Sequence, residues 1–332
     1  MKKYLMLFKF LPLAVILVAA SSCNSDDNDG PPRPAENIVD LAEAEPNLSI
    51  LVEALQRTNL TDELEASGSF TVLAPTNAAF NTFLGQNNYS SIQDVPVGAL
   101  SQVLLNHVIA TELNSSDLNL LQRNYAATLA SGPTEGSNLS LYFDATDGIE
   151  FNGISRVVNG GGDILASNGT IHLVDGVIDL PTVVTFISED FNFEELTTAI
   201  TTATPGSDIA AFLSEDGPFT VFAPVDQAFD ELLDSNPDWS SLSDIDESLL
   251  TAVLQHHVAP GNNRSSGLSE GLTLTTFEGD DITISLQVNA PFIAAITDGA
   301  GNDDVNIGFV DIQASNGVIH LIDQVMLPDT EN

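Results

Sequence analysis

The sequence predicts two successive copies of one domain that mixes helices and strands, on three observations. The stretch ASNGTIHLVDGV at 166–177 returns as ASNGVIHLIDQV at 314–325, with nine of twelve residues unchanged. SGSFTVLAPTNAAF at 67–80 is answered by DGPFTVFAPVDQAF at 216–229, and LLNHVIA at 104–110 by LQHHVAP at 254–260. The blocks keep one order and offsets of 148, 149 and 150 residues. Solenoid repeats recur every ~20–50 residues, so a period this long means whole domains in tandem. Pro181, matched by Pro328, sets the boundary, with one domain at 35–181 and the other at 182–332.

Each copy opens on helical material. In NIVDLAEAEPNLSILVEALQRTNL, the residues Leu48, Leu51, Val52 and Leu55 keep a three-and-four spacing. FTVLAP and FTVFAP follow as strands of β-branched and aromatic residues, stopped by Pro75 and Pro224. The next helix carries the stripe Leu100, Val103, Leu104, His107, Val108, repeated as Leu250, Val253, Leu254, His257, Val258. Both histidines fall on its apolar face, where a histidine bonded to backbone is the expected occupant. His256 has Asn106 as its counterpart, so an adjacent histidine pair is not a shared feature. Strand-like runs complete each copy: LSLYFD, GIEFNG and RVVN in the first, LTLTTFEG, ITISLQV and VNIGFVDI in the second.

The repeated stretch itself predicts a hairpin, because Asn168-Gly169 and Asn316-Gly317 accept the positive φ angles of a two-residue turn. With that turn, Leu165 faces His172 and Asp163 lies diagonal to it, while Ile164, Ala166, Ile171 and Leu173 share the core face. The second copy groups Ile312, Ala314, Ile319 and Leu321 in the same way, with Asp311 diagonal to His320. On this register His172 and His320 are structural, and a bulge at the turn would shift the pairing.

Ahead of the repeats, Lys2, Lys3 and Lys9 flank the apolar run Phe10–Ala20, which reads as an export signal over residues 1–22. It ends in AASSC, which places Cys23, the single cysteine, where a lipoprotein signal would present it for lipidation. The polar, proline-bearing residues 23–34 read as a flexible acidic tether. Ser25, Asp26 and Asp27 resemble a short signal for the outer face of an outer membrane. The expected location is therefore outside the cell, lipid-anchored to the outer membrane and exposed at the surface. Beyond Cys23 there are five arginines and no lysine against 47 carboxylates, a formal charge of −42. That charge disfavours nucleic acid and anionic lipid as partners, leaving contact with the membrane to the anchor alone.

The matched blocks together resemble the fasciclin domain family. FTVLAPTNAAF and FTVFAPVDQAF resemble its first signature, SNGTIHLVDGVIDLP and SNGVIHLIDQVMLP its second, and NHV and HHV its intervening Tyr-His segment without the tyrosine. The resemblance implies two tandem α+β domains, each a β-wedge or sandwich with surrounding helices. It further implies a role in extracellular adhesion or matrix interaction, without general catalytic activity. Family members with proposed integrin contacts carry an Asp-Ile dipeptide before the second signature, which here is Asp163-Ile164 and Asp311-Ile312. These four residues are the adhesion candidates the resemblance supplies, although the register above turns the isoleucines inward.

Catalysis finds no support in the residues. GLSEG at 267–271 matches the pattern of a nucleophile elbow, but a strand-like run follows where a helix is required. Ser167, His172 and Asp175 lie on one turn and strand, with the histidine and aspartate on opposite faces, so they form no relay. The histidines lack zinc spacing. DATDGIE and DGAGNDD offer oxygen ligands without the ordered geometry of a calcium loop, which leaves only weak calcium binding open and implies no cofactor. The expected function is a non-enzymatic, lipid-anchored module that binds an extracellular protein or polysaccharide. The alternative is a surface lipoprotein for a glycan or small ligand.

Overall fold

The computed structural model describes residues 35–286 and 292–329; the signal, Cys23 and the whole tether lie outside them. In the first copy, helices Ile38–Ala44, Ser49–Thr58 and Thr61–Glu65 lead into the opening strand Phe70–Pro75. Pro46 divides the first two helices because it starts a new turn, and Asn37 caps the first by accepting from the Val39 and Asp40 amides. Helices Asn77–Gln86 and Val97–Asn106 follow, then the short strand Val108–Ile109 and helix Ser115–Leu121. The remaining strands are Arg123–Ser131, Asn138–Asp144, Glu150–Phe151, Ser155–Arg156, Ile164–Ala166 and the closing strand Gly169–Val174.

The opening and closing strands lie side by side and parallel, from the pair Phe70 and Gly169 to the pair Pro75 and Val174. Both faces of this central pair are buried, which is why FTVLAP is a continuous apolar run. Val72 and Ile171 join the helices through Ile38, Leu51, Phe80 and Leu104. Leu73 and Val174 meet Leu141, Phe143 and Phe151 on the other side. The second copy repeats the arrangement in Phe219–Pro224 and Gly317–Ile322, again parallel. Among the described residues its sheet has seven strands where the first has eight, and the long strand Val305–Ala314 runs beside the closing strand.

The predicted helix carrying His107 ends sooner than its apolar stripe. It stops at Asn106; His107 is its C-terminal cap and Val108 already belongs to a strand. The Leu73 amide takes the His107 carbonyl at 2.9 Å, drawing the chain into the sheet. The same exchange ends the second helix, where the Phe222 amide takes the His257 carbonyl.

The hairpin register also differs from prediction. Ala166 pairs with Gly169 and Leu165 with Thr170, so Ser167 and Asn168 form the turn and the pairing slips by two residues. Ala314 and Gly317 pair in the same way. A two-residue slip leaves every side chain on its predicted face, so Ile164 and Ile171 remain together, now directly opposite. Neither asparagine adopts a positive φ.

The two copies share an interface. Tyr142, 3 % exposed, packs into the core of the second copy beside Phe186 and Ile312. Tyr125 lies between Tyr142 and Phe186, with ring centroids 5.2 and 5.4 Å away, and its hydroxyl donates to Asp190 at 2.8 Å. The Arg123 guanidinium sits 4.4 Å above Phe191 while pairing with Asp144 at 2.7 Å. The Gln313 amide donates to Ser140 Oγ across the boundary at 2.9 Å. Burial pushes the Asp190 carboxyl above its ordinary range, against hydrogen bonds that stabilise its charge.

Candidate functional site

The polar residues of the two signatures converge on one loop in each copy. Thr71, buried in the opening strand, donates to the Thr111 carbonyl at 2.7 Å and accepts from the Leu113 amide at 2.7 Å. His172 Nε2 bonds the Leu113 carbonyl at 2.9 Å, so Nε2 carries the proton, and Nδ1 accepts from the Asp163 amide at 3.3 Å. Asp163 completes the hold by accepting from the Ser115 amide at 2.7 Å.

In the second copy Thr220, His320 and Asp311 repeat each role. Thr220 bonds the Gly261 carbonyl and the Asn263 amide, and His320 bonds the Asn263 carbonyl and the Asp311 amide. Asp311 accepts from the amide and hydroxyl of Ser265 at 2.8 and 2.6 Å, with Arg264 3.7 Å away. Burial lowers the His320 pKa against its bond to Asn263. Thr71 and Thr220 escaped the sequence reading because a threonine in a strand looks like ordinary β propensity; their recurrence at one position in FTV was the available signal.

The Asp-Ile dipeptides take part in the same network. Asp163 and Asp311 stand in the left-handed region, at φ 57° and 65°, with their carboxylates already bonded to the loop. Ile312 is fully buried and Ile164 half-buried against the helical core. The dipeptide therefore helps shape the fold in both copies; Ile312 is closed off in the core, while Asp163 stays exposed beside its bond to Ser115.

The second pair of histidines lies at the far end of the closing hairpin. His107 Nδ1 bonds the Val103 carbonyl at 2.7 Å and Nε2 accepts from the Ile178 amide at 2.9 Å. His257 does the same between Val253 and Met326. Burial lowers their pKa values to about 4 and about 3, so both rings are neutral at pH 7.

The Asn-Gly dipeptides have a different task from the one predicted. Asn168 Oδ1 accepts from the Ile38 amide at 3.0 Å, and Nδ2 donates to the Leu64 and Ala66 carbonyls at 2.7 and 3.0 Å. Asn316 ties Val183, Leu213 and Glu215 in the same three bonds. Each asparagine clamps the first helix of its copy to the end of the helical segment before the opening strand. Gly169 and Gly317 are required by proximity, because a Cβ on either would strike the carbonyl oxygen of Phe70 or Phe219 in the neighbouring strand.

No nucleophile-base-orienter array emerges from these groups. Asp175 bonds the Arg156 amide while His172 is held by Leu113 and Asp163. Ser269 precedes the strand Thr273–Thr275, where an elbow needs a helix.

His256, Glu278 and Asp280 form the one set of three potential metal ligands grouped together among the described residues. His256 Nε2 accepts from the Gly299 amide at 3.1 Å, which keeps the ring proton on Nδ1, facing Thr276 and the Glu278 carboxylate. An ion needs that nitrogen's lone pair, so this tautomer does not offer a ligand. In the two oxygen-rich stretches, Asp144 is taken up by Arg123 and Thr146, and Asp298 by Asn302 and Leu327.

A duplicated α+β domain, each copy built on a parallel strand pair with a histidine-pinned loop, defines the class of this protein. The chain belongs to the Fasciclin domain family, which matches residues 46–181 and 192–328. Transforming growth factor-beta-induced protein ig-h3 of Sus scrofa is 27% identical over 273 residues, covering 82% of this chain and 36% of that protein. Human periostin is 28% identical over 297 residues, covering 88% and 31% respectively, so the chain spans about a third of either relative's length. A Synechocystis protein, sll1735, is 35% identical over 142 residues, 43% of this chain and 96% of its own. Among solved structures, a FAS1 domain pair from the insect cell adhesion molecule fasciclin I superposes with a TM-score of 0.51 at 20% identity. It covers 86% of this chain and 98% of that one, and so shares its fold.

Proposed function

We propose that the protein is a non-catalytic adhesion or matrix-interaction module, displayed outside the cell on a lipid attached to Cys23 and binding an extracellular protein or polysaccharide. The observation that carries this reading is the internal saturation of the signature groups. Four histidines, two threonines and two aspartates are bonded to backbone in matched pairs, leaving recognition to the exposed surface of the joined copies. The insect domain pair of the same fold comes from a cell adhesion molecule, which supports the same direction. The charge of −42 keeps such a surface soluble and rejects nucleic acid.

Attachment of cells carrying the intact gene, a deletion or Cys23→Ser tests the proposal. The deletion should lose attachment, and Cys23→Ser should release the protein from the membrane fraction. Saturable binding of a small soluble ligand with no change in attachment would overturn the adhesion reading in favour of ligand capture. Unchanged partitioning of Cys23→Ser would overturn the anchor.

A further inference from the structure

We propose that an aromatic cleft in the second copy docks a cationic, apolar-anchored segment of a partner protein; its protein partner rests on the adhesion reading, its location does not. Phe212 lies in the last turn of the helix Ile209–Leu213, Phe219 begins the opening strand, and Phe277 stands in the turn before the strand Asp281–Leu286. Their rings meet edge-on or tilted, with centroids 5.0, 5.2 and 5.9 Å apart, and Phe277 remains 41 % exposed. They line an open cleft of about 760 Å³ whose rim is Glu215, Asp216, Pro218 and Pro260.

The fold does not require this aromatic floor. The first copy carries Glu63 where the second has Phe212, and Ala66, Ser67 and Ser69 where it has Glu215, Asp216 and Pro218. Both copies nevertheless keep the same strand pair and asparagine clamp. In the second copy that clamp also holds the acidic lip, because Asn316 Nδ2 bonds the Glu215 carbonyl at 2.8 Å. Glu215 and Asp216 are exposed, and among the described residues no arginine or lysine lines the cleft.

An occupant must therefore present apolar surface to the rings and positive charge to the lip. Arginine or lysine beside a leucine or an aromatic residue does both, with cation–π attraction available at the exposed ring. The charge of −42 steers such a segment toward the surface and repels acidic chains, including acidic polysaccharides.

The test uses the full chain in phosphatidylcholine nanodiscs and dye-labelled dodecapeptides read by fluorescence anisotropy, with empty nanodiscs as the blank. An alternating Lys-Leu peptide should bind at one site about tenfold tighter than an alternating Lys-Ser peptide of equal charge. Phe277→Ser and Phe212→Glu, the latter installing the residue of the first copy, should each remove about tenfold of that affinity. Asp216→Asn, at an exposed position that leaves the fold intact, should weaken Lys-Leu binding and reduce its salt dependence.

Equal binding of both peptides would overturn the proposal by reducing it to general charge attraction. So would unchanged affinity in the three variants, or displacement of the peptide by cellohexaose, which would make the cleft a glycan site. Loss of peptide binding in Phe277→Ser with cell attachment intact would confirm the cleft while assigning attachment to another surface. Cell attachment by a protein that binds neither peptide would refute the cleft and leave the adhesion reading standing.

Discussion

Replacing Asn168 by alanine separates the clamp from the turn as the reason for this residue. The substitution leaves the Ile38 amide, at the first turn of its helix, without its acceptor, and the Leu64 and Ala66 carbonyls without their donor. A first-turn amide has no intrahelical partner to fall back on. With about 1 kcal/mol for each lost bond and somewhat more for a buried donor left bare, the loss is about 3–5 kcal/mol. For a domain of this size that lowers the melting temperature by roughly 10 °C.

Urea titration at pH 7 measures it, with Asn168→Gly and Asn168→Asp as controls. A turn role would make glycine harmless and aspartate nearly so. The clamp makes glycine as damaging as alanine, and aspartate no better, because it sets a carboxylate oxygen against two carbonyls. A loss under about 1 kcal/mol in Asn168→Gly would refute the clamp.

Gly169→Ala should cost more than about 3 kcal/mol or abolish folding, because the new methyl meets the Phe70 backbone; secretion yield and melting temperature read it. His107→Gln should lose most at neutral pH. The folded His107 pKa is lowered to about 4, so its contribution is complete above the unfolded value and is lost as pH falls from about 6.5 through 4. The stability gap between the intact protein and the variant should therefore shrink by about 3 kcal/mol between pH 7 and pH 4 in matched urea titrations. Tyr125→Ala removes the ring between the copies and its bond to Asp190, so calorimetry should resolve two transitions in the variant and a single one in the intact protein.

Much of the fold was legible because the chain states its pattern twice. Alternation in the repeated hairpin placed the core faces, and a slip of two residues could not disturb them. The role of Asn168 was not legible, since its three partners lie 102 to 130 residues away in sequence and Asn-Gly satisfies a local rule first. His107 and His257 could be assigned to the core from their stripe, whereas the loop held by Thr71, His172 and Asp163 required the strands to be assembled. The interface was hidden for another reason. Tyr125 and Tyr142 have no repeated counterpart, and a contact between copies leaves no trace in a period.

The clamp also decides how the first copy carries a mechanical load. A pull arriving at Glu36 passes to the hairpin through the Ser167 amide, bonded to the Glu36 carbonyl at 2.8 Å, and through the Asn168 bond to Ile38. From there it enters the closing strand, which lies parallel to the opening strand across six paired residues. Opening the first copy from Glu36 must therefore break the Ser167 and Asn168 bonds before it reaches the closing strand.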